Sequence, residues 1–171
     1  MNNEQPKFTP LKILNEHERS EIIAILEDNF GIKKIEGIML QRGKERLFLY
    51  KGSFTEKQIK NLEYEIPIER VGVYFAKIIE DQKSKERYIK LSIEGIQLLK
   101  DQITKNIYEL QSDEQADSWM KGQDLNIKTA LRGFIAIKYK NDFLGCGKAS
   151  AEKIGNFIPK TRRLRDKSII K

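Results

Sequence analysis

The residue types best suited to chemistry in this 171-residue chain gather near its end. Leu144-Gly145-Cys146-Gly147-Lys148 is followed by Lys153-Ile154-Gly155-Asn156-Phe157-Ile158-Pro159-Lys160-Thr161-Arg162-Arg163. Glycines at alternate positions of a strand strip one of its faces of side chains, which permits a tight bend or the close approach of another backbone. Two readings stand side by side. In one, a phosphate backbone lies over Gly145 and Gly147 and meets the Lys148 ammonium just beyond them. In the other, the glycines form a sharp barrel corner that needs no ligand. Lys148, Lys153, Lys160, Arg162, Arg163 and Arg165 are the candidate phosphate contacts, and the arginines among them can bind an oxyanion bidentately where lysine cannot.

Other chemistries find little support. Cys146 lies close to Lys148 and several arginines, which would lower a thiol pKa, but a small inert residue in a strand fits the same spacing. With one cysteine and one histidine, His17, the chain offers no internal disulfide, no Cys-rich metal site and no His-based nucleophile pair. Glu63/Glu65 and Asp113/Glu114 sit in strand or loop contexts that read as solvated surface. Gly145-Cys146-Gly147 is too short to be a cofactor loop leading into a helix. No catalytic site, metal or cofactor is expected.

The charge is unevenly placed. Residues 138–171 hold ten Lys/Arg and three Asp/Glu, a net +7, while the preceding 137 residues hold twenty-two of each. Concentrated positive charge attracts polyanions and gains entropy by releasing their counterions; a basic tail that only improves solubility is the plainer alternative. A hydrophobic fraction of 39% suffices for a packed core. The apolar runs fall far short of the ~20 residues that span a bilayer, and the polar start lacks the apolar stretch of a signal peptide. A cytoplasmic protein is expected.

The elements that would carry these residues can be read in order. Asn15 and Glu18 form a capping box, Ile22, Leu26 and Phe30 repeat as one helical face, and Gly31 is the expected stop. Gly37 to Gln41 and Glu45 to Lys51 read as a hairpin around Arg42-Gly43-Lys44. Ser53-Phe54-Thr55-Glu56 opens a short helix presenting Ile59 and Leu62, which Pro67 ends. Val71 to Glu80 and Arg87 to Ile93 read as extended around a polar turn, and Glu94 to Lys100 as one or two helical turns with Ile96 and Leu99 inward. Further strands are expected over Ile103 to Leu110, Gly133 to Lys140, Phe143 to Lys148 and Phe157-Ile158. Gln111 to Ser118 reads as an acidic loop, and Arg165 to Lys171 as a fraying end. The change from helix-rich to strand-rich signals places a domain boundary near residues 85–91.

Leu-Gly-x-Gly-Lys, a basic spacer, Asn156, Pro159-Lys160 and then arginine resembles the PUA-like RNA-binding domain of Fmu/Sun-type RNA cytosine methyltransferases. Residues 10–165 also resemble the two-domain ribosome-biogenesis factors that pair a pre-PUA domain with a PUA domain, through Arg87 to Leu99 and the strand before it. These resemblances imply an α+β chain: a small mixed α/β domain over residues 1–87, then a PUA-like β-pseudobarrel over 88–171 that docks on structured RNA, rRNA or tRNA, by shape and backbone. Asn156, Gly145, Gly147 and Trp119 then join the six cations as expected RNA contacts. Trp119 either stacks on a base or belongs to the buried structure. The methyltransferases owe their activity to a separate cofactor-binding fold and a Pro-Cys motif, neither of which is found in this chain.

The leading expectation is a non-catalytic RNA-binding protein acting in ribosome assembly, or as the RNA-recognition partner of an RNA-modifying enzyme. The rival is a protein-interaction adaptor whose neutral N-terminal domain is the working surface; a weaker one is a subunit that completes an active site in trans.

Overall fold

The computed structural model describes residues 9–66, 68 and 70–165. The expected break at Pro67 and all of the fraying end beyond Arg165 lie outside that range. Two sheets form the scaffold. The first is an antiparallel meander of β1 (Leu11–Ile13), β2 (Ile38–Arg42), β3 (Arg46–Tyr50), β4 (Val73–Glu80) and β5 (Arg87–Leu91), in sequence order. The second orders β6 (Ile107–Glu109), β7 (Gly133–Tyr139), β8 (Asp142–Ala149) and β9 (Ile154–Asn156), with β6 parallel to β7 and the other pairs antiparallel. The chain is α+β, and its C-terminal half is β-rich in the manner of a PUA-like fold.

Helix α1 (Glu16–Phe30) starts and stops where its capping residues dictate. Asn15 accepts from the Glu18 amide at 2.9 Å while Glu18 accepts from the Asn15 amide at 3.1 Å. Gly31 closes the helix in the left-handed conformation at φ 81°, which costs glycine nothing. The face of Ile22, Leu26 and Phe30 is buried, in a core shared with Leu47, Leu49 and Phe75 of the first sheet and Phe134, Ala136 and Cys146 of the second. The other face of the first sheet packs Leu11, Leu40 and Phe48 on Ile59 of α2 (Glu56–Glu65). Leu62, expected to pack beside Ile59, is only partly buried.

Side-chain and backbone hydrogen bonds join the end of α1 to the second sheet and the segment leading into it. Asn29 Nδ2 donates to the Phe134 carbonyl at 2.9 Å, Asn106 Nδ2 donates to the Asn29 carbonyl at 2.8 Å, and the Thr104 amide caps the Phe30 carbonyl at 2.9 Å. Helix α3 (Ile93–Leu99), capped by Ser92, docks just as closely on β4.

Several expected elements differ. Gln111 to Ser118 is not a loop: α4 (Asp113–Met120) starts at Ser112, whose hydroxyl accepts from the Gln115 amide. The acidic residues that suggested a loop occupy its first turn, where the helix dipole favours them, and Ala116, Trp119 and Met120 face the second core. The last strand is Ile154–Asn156 rather than Phe157-Ile158, because Ala149 and Ile154 pair around the turn after β8. β6 keeps only three residues of the span from Ile103 to Leu110, and β1, also three residues long, carries too few positions for its alternation to be read. β5 pairs with β4 and completes the first sheet, so the chain changes sheets between Leu91 and Ile107.

Candidate nucleic-acid interface

The glycine strand lies inside the fold. Gly145, Cys146 and Gly147 are all buried. A Cβ on Gly147 would sit 2.7 Å from Ile154 Cγ2 and 3.0 Å from Trp119 Cη2. The stripped face is thus filled by the chain's own side chains, and neither Gly145 nor Gly147 is open to a phosphate backbone. Gly145 holds φ at 131° beside the bulge at Ile137/Lys138, a conformation L side chains rarely adopt. Trp119 is fully buried, so no face of its ring is open to a base; it anchors α4 in the second core. Burial also decides between the two readings of Cys146: it pushes the thiol up to about 12, against a smaller opposing pull from Lys90, and the sulfur is protonated and inert at neutral pH.

Asn156 is a brace. Its Nδ2 donates to the Trp119 carbonyl at 2.8 Å and to the Gln123 carbonyl at 3.2 Å. Its Oδ1 accepts from the Ile158 amide at 2.8 Å, and its own amide donates to Asp124 Oδ1 at 2.9 Å. The C-terminal cations fall into two groups. Lys153 is paired with Asp124 at 2.7 Å, Arg162 with Glu94, and Arg163 donates through Nε to the Ile158 carbonyl at 3.1 Å while packing over Gly122. Lys148, Lys160 and Arg165 are exposed and form no ion pair among the described residues.

Two residues unmarked by the sequence reading join them. Lys148 lies directly across the β7–β8 ladder from Phe134, its Nζ 5.7 Å from the ring centroid. Phe134 meets Phe157 edge to face at 5.8 Å, and Lys90 Nζ lies 4.6 Å from the Phe157 centroid. Phe157 is 41% exposed. Partial burial holds the Lys90 ammonium below its usual pKa, and no carboxylate pairs with it among the described residues. Of these, Lys90 and Phe157 border a recess of about 220 Å³ that also includes Tyr74, Glu94, Pro159 and Arg162. A part-exposed ring with one cation over it and a second over the adjoining ring suits an unpaired nucleobase with a phosphate nearby. Phe157 sits within the basic run and could have been flagged there. Lys90 comes from the first sheet, and its proximity to Phe157 appears only once the strands are assembled.

The β-rich C-terminal module with its cationic rim is consistent with a PUA-like domain. Residues 105–164 match the family of the methyltransferase RsmF PUA domain, and the C-terminal part of the chain carries a PUA domain. A curated relative, the ribosomal RNA small subunit methyltransferase F of Psychromonas ingrahamii, is 28% identical over 142 residues, which is 82% of this chain and 27% of the relative. The chain spans about a quarter of that relative's length. A match of 142 residues in a chain of 171 necessarily takes in much of the first sheet as well as the PUA domain.

Among the described residues no helix is long and apolar enough to cross a membrane.

Proposed function

We propose that these residues form an RNA-recognition module that binds structured RNA, acting on rRNA in ribosome biogenesis or guiding an rRNA-modifying enzyme, in the cytoplasm. The observation that carries this reading is a set of cations without ion pairs among the described residues, half-buried Lys90 over the Phe157 ring, exposed Lys148 over the adjoining Phe134 ring, and exposed Lys160 and Arg165 farther along the chain, on a domain similar to one from an rRNA methyltransferase. Cations without carboxylate partners gain most when a phosphate backbone replaces their counterions. The ring provides a sequence-tolerant stacking surface.

The module itself carries no methyl transfer in this reading. Burial favours the protonated form of the Cys146 thiol and keeps it from substrate, which speaks against a nucleophile of cytosine methylation there, and the sequence lacks a Pro-Cys motif and a cofactor loop.

Fluorescence anisotropy with fragments of small-subunit rRNA, tRNA and an unstructured homopolymer tests the binding. Tight, salt-dependent binding to a folded RNA is expected. Equal, weak affinity for all three would reduce the basic surface to a solubility feature, and recovery of a single protein partner without RNA would favour the adaptor. Incubation of the pure chain with rRNA and S-adenosylmethionine should yield no methylated product; donor-dependent methylation abolished by Cys146→Ala would overturn the non-catalytic assignment.

A further inference from the structure

The N-terminal residues sum to zero charge, but the structure does not spread that charge evenly. Arg46 on β3 lies directly opposite Lys77 on β4. Like charges facing each other across an antiparallel pair are unfavourable, and only half of this pair is relieved, by the Lys77–Glu45 ion pair at 2.7 Å. Arg46 and Arg70 are exposed and make no ion pair among the described residues. Together with Lys77 they line a groove of about 510 Å³ whose apolar wall is Phe48 and Tyr74, rings 5.6 Å apart. The carboxylates at hand are already engaged, Glu45 with Lys77 and Glu94 with Arg162.

This groove is continuous with the recess beside the PUA domain. Tyr74 and Glu94 line both, and Arg162 extends from the C-terminal side to meet Glu94 at the shared edge. We propose that the groove of Arg46, Arg70 and Lys77 is a second phosphate-binding surface, over which a single-stranded arm of the RNA leaves the PUA domain and crosses the first sheet. The assignment rests on the RNA-binding reading above and extends it to residues outside the PUA domain. Charge complementarity and the shared edge select RNA: two guanidinium groups that form no ion pair among the described residues suit bidentate phosphate contacts, and the adjoining tyrosine suits a splayed base. An acidic protein would meet the same cations, but nothing would lead it from one recess into the other.

The test uses the whole chain and a labelled RNA stem-loop with a single-stranded 3′ arm. Arg46→Ala with Arg70→Ala should weaken binding roughly tenfold or more near 0.1 M salt and lower the log–log salt slope by about 1.5, two contacts at the single-strand value. Trimming the 3′ arm from the RNA should abolish the difference between variant and wild type. Arg46→Lys with Arg70→Lys should keep the slope. Photocrosslinking the wild type to an arm carrying 4-thiouridine provides a readout independent of any variant's folding, and Tyr74 should be among the crosslinked positions. If the alanine pair retains wild-type affinity and slope while Lys148→Ala with Lys160→Ala loses both, the groove is off the RNA path and the PUA reading stands. If the wild type binds no structured RNA at all, both readings fall.

Discussion

Arg162 forms an ion pair with Glu94 across the seam between the turn at residues 160–162 and the first turn of α3. Its neighbour Arg163 is bound to the Ile158 carbonyl. Two arginines that look equivalent in the sequence thus have different first duties from each other, and both differ from the unpaired Lys148, Lys160 and Arg165.

Binding should follow that division. Lys148→Ala, Lys160→Ala and Arg165→Ala together should flatten the salt slope by about 2, at 0.7 per lost phosphate contact or slightly more. Arg162→Ala with Arg163→Ala should flatten it less while lowering the melting temperature. Salt titration of affinity, paired with thermal unfolding, separates the two sets; equal slopes and equal melting temperatures would show that the internal contacts count for nothing.

Asn156→Ala removes the donors to the Trp119 and Gln123 carbonyls and the acceptor for the Ile158 amide. Leaving partly buried backbone groups unpaired costs about 1–3 kcal/mol. Denaturant unfolding should show that loss. At temperatures where the variant remains folded, the salt slope for RNA should match the wild type, because the side chain braces α4 rather than touching a phosphate.

The contrast between Asn156 and Lys148 shows how far the sequence could be read. The end of the chain was legible as a PUA-like element through its resemblance to a known domain family, while residue types and spacing alone left a phosphate site and a barrel corner equally open; α1 was legible because both of its caps are local. Which polar groups point outward was not legible, since Asn156, Lys153 and Arg163 find their partners on Trp119, Asp124 and Ile158 only after the second sheet has formed. Trp119 belonged to a helix hidden by acidic residues that favour a helix start as much as a loop. Lys90 and Arg46 escaped notice for a different reason: a sum over residues records total charge, whereas pairing across strands decides which charges remain unneutralised.

Gly147→Val places a branched side chain against Ile154 and Trp119, where even a Cβ is too close. Overpacking of this kind costs about 1–3 kcal/mol. Reduced stability with a red-shifted Trp119 fluorescence maximum is the expected outcome. A variant as stable as wild type would mean the glycine face is emptier than its distances indicate.

Acid should weaken the same corner. The Lys153 ammonium, followed by the Asn156 amide, holds the Asp124 carboxyl below its usual pKa. A pKa lowered by folding contributes stability that is complete above the unfolded value of about 3.9 and disappears as pH falls through the folded one. Asp124→Asn should therefore melt below wild type at pH 7, and the gap should narrow toward pH 3. A gap that stays constant with pH would assign the effect to packing instead.

The hydrogen bonds that Asn29, Asn106 and Thr104 make at the end of α1 have a dynamic consequence. Parting α1, which packs on the first sheet, from the second sheet would strand the Asn29, Phe30 and Phe134 carbonyls beside apolar side chains, and unpaired groups in such surroundings are costly. The sheets should then open as one cooperative unit, with amide protons of β4 and β7 exchanging at a common slow rate. A nucleic acid lying across both sheets would meet a surface already held in register, with little ordering left to do on arrival.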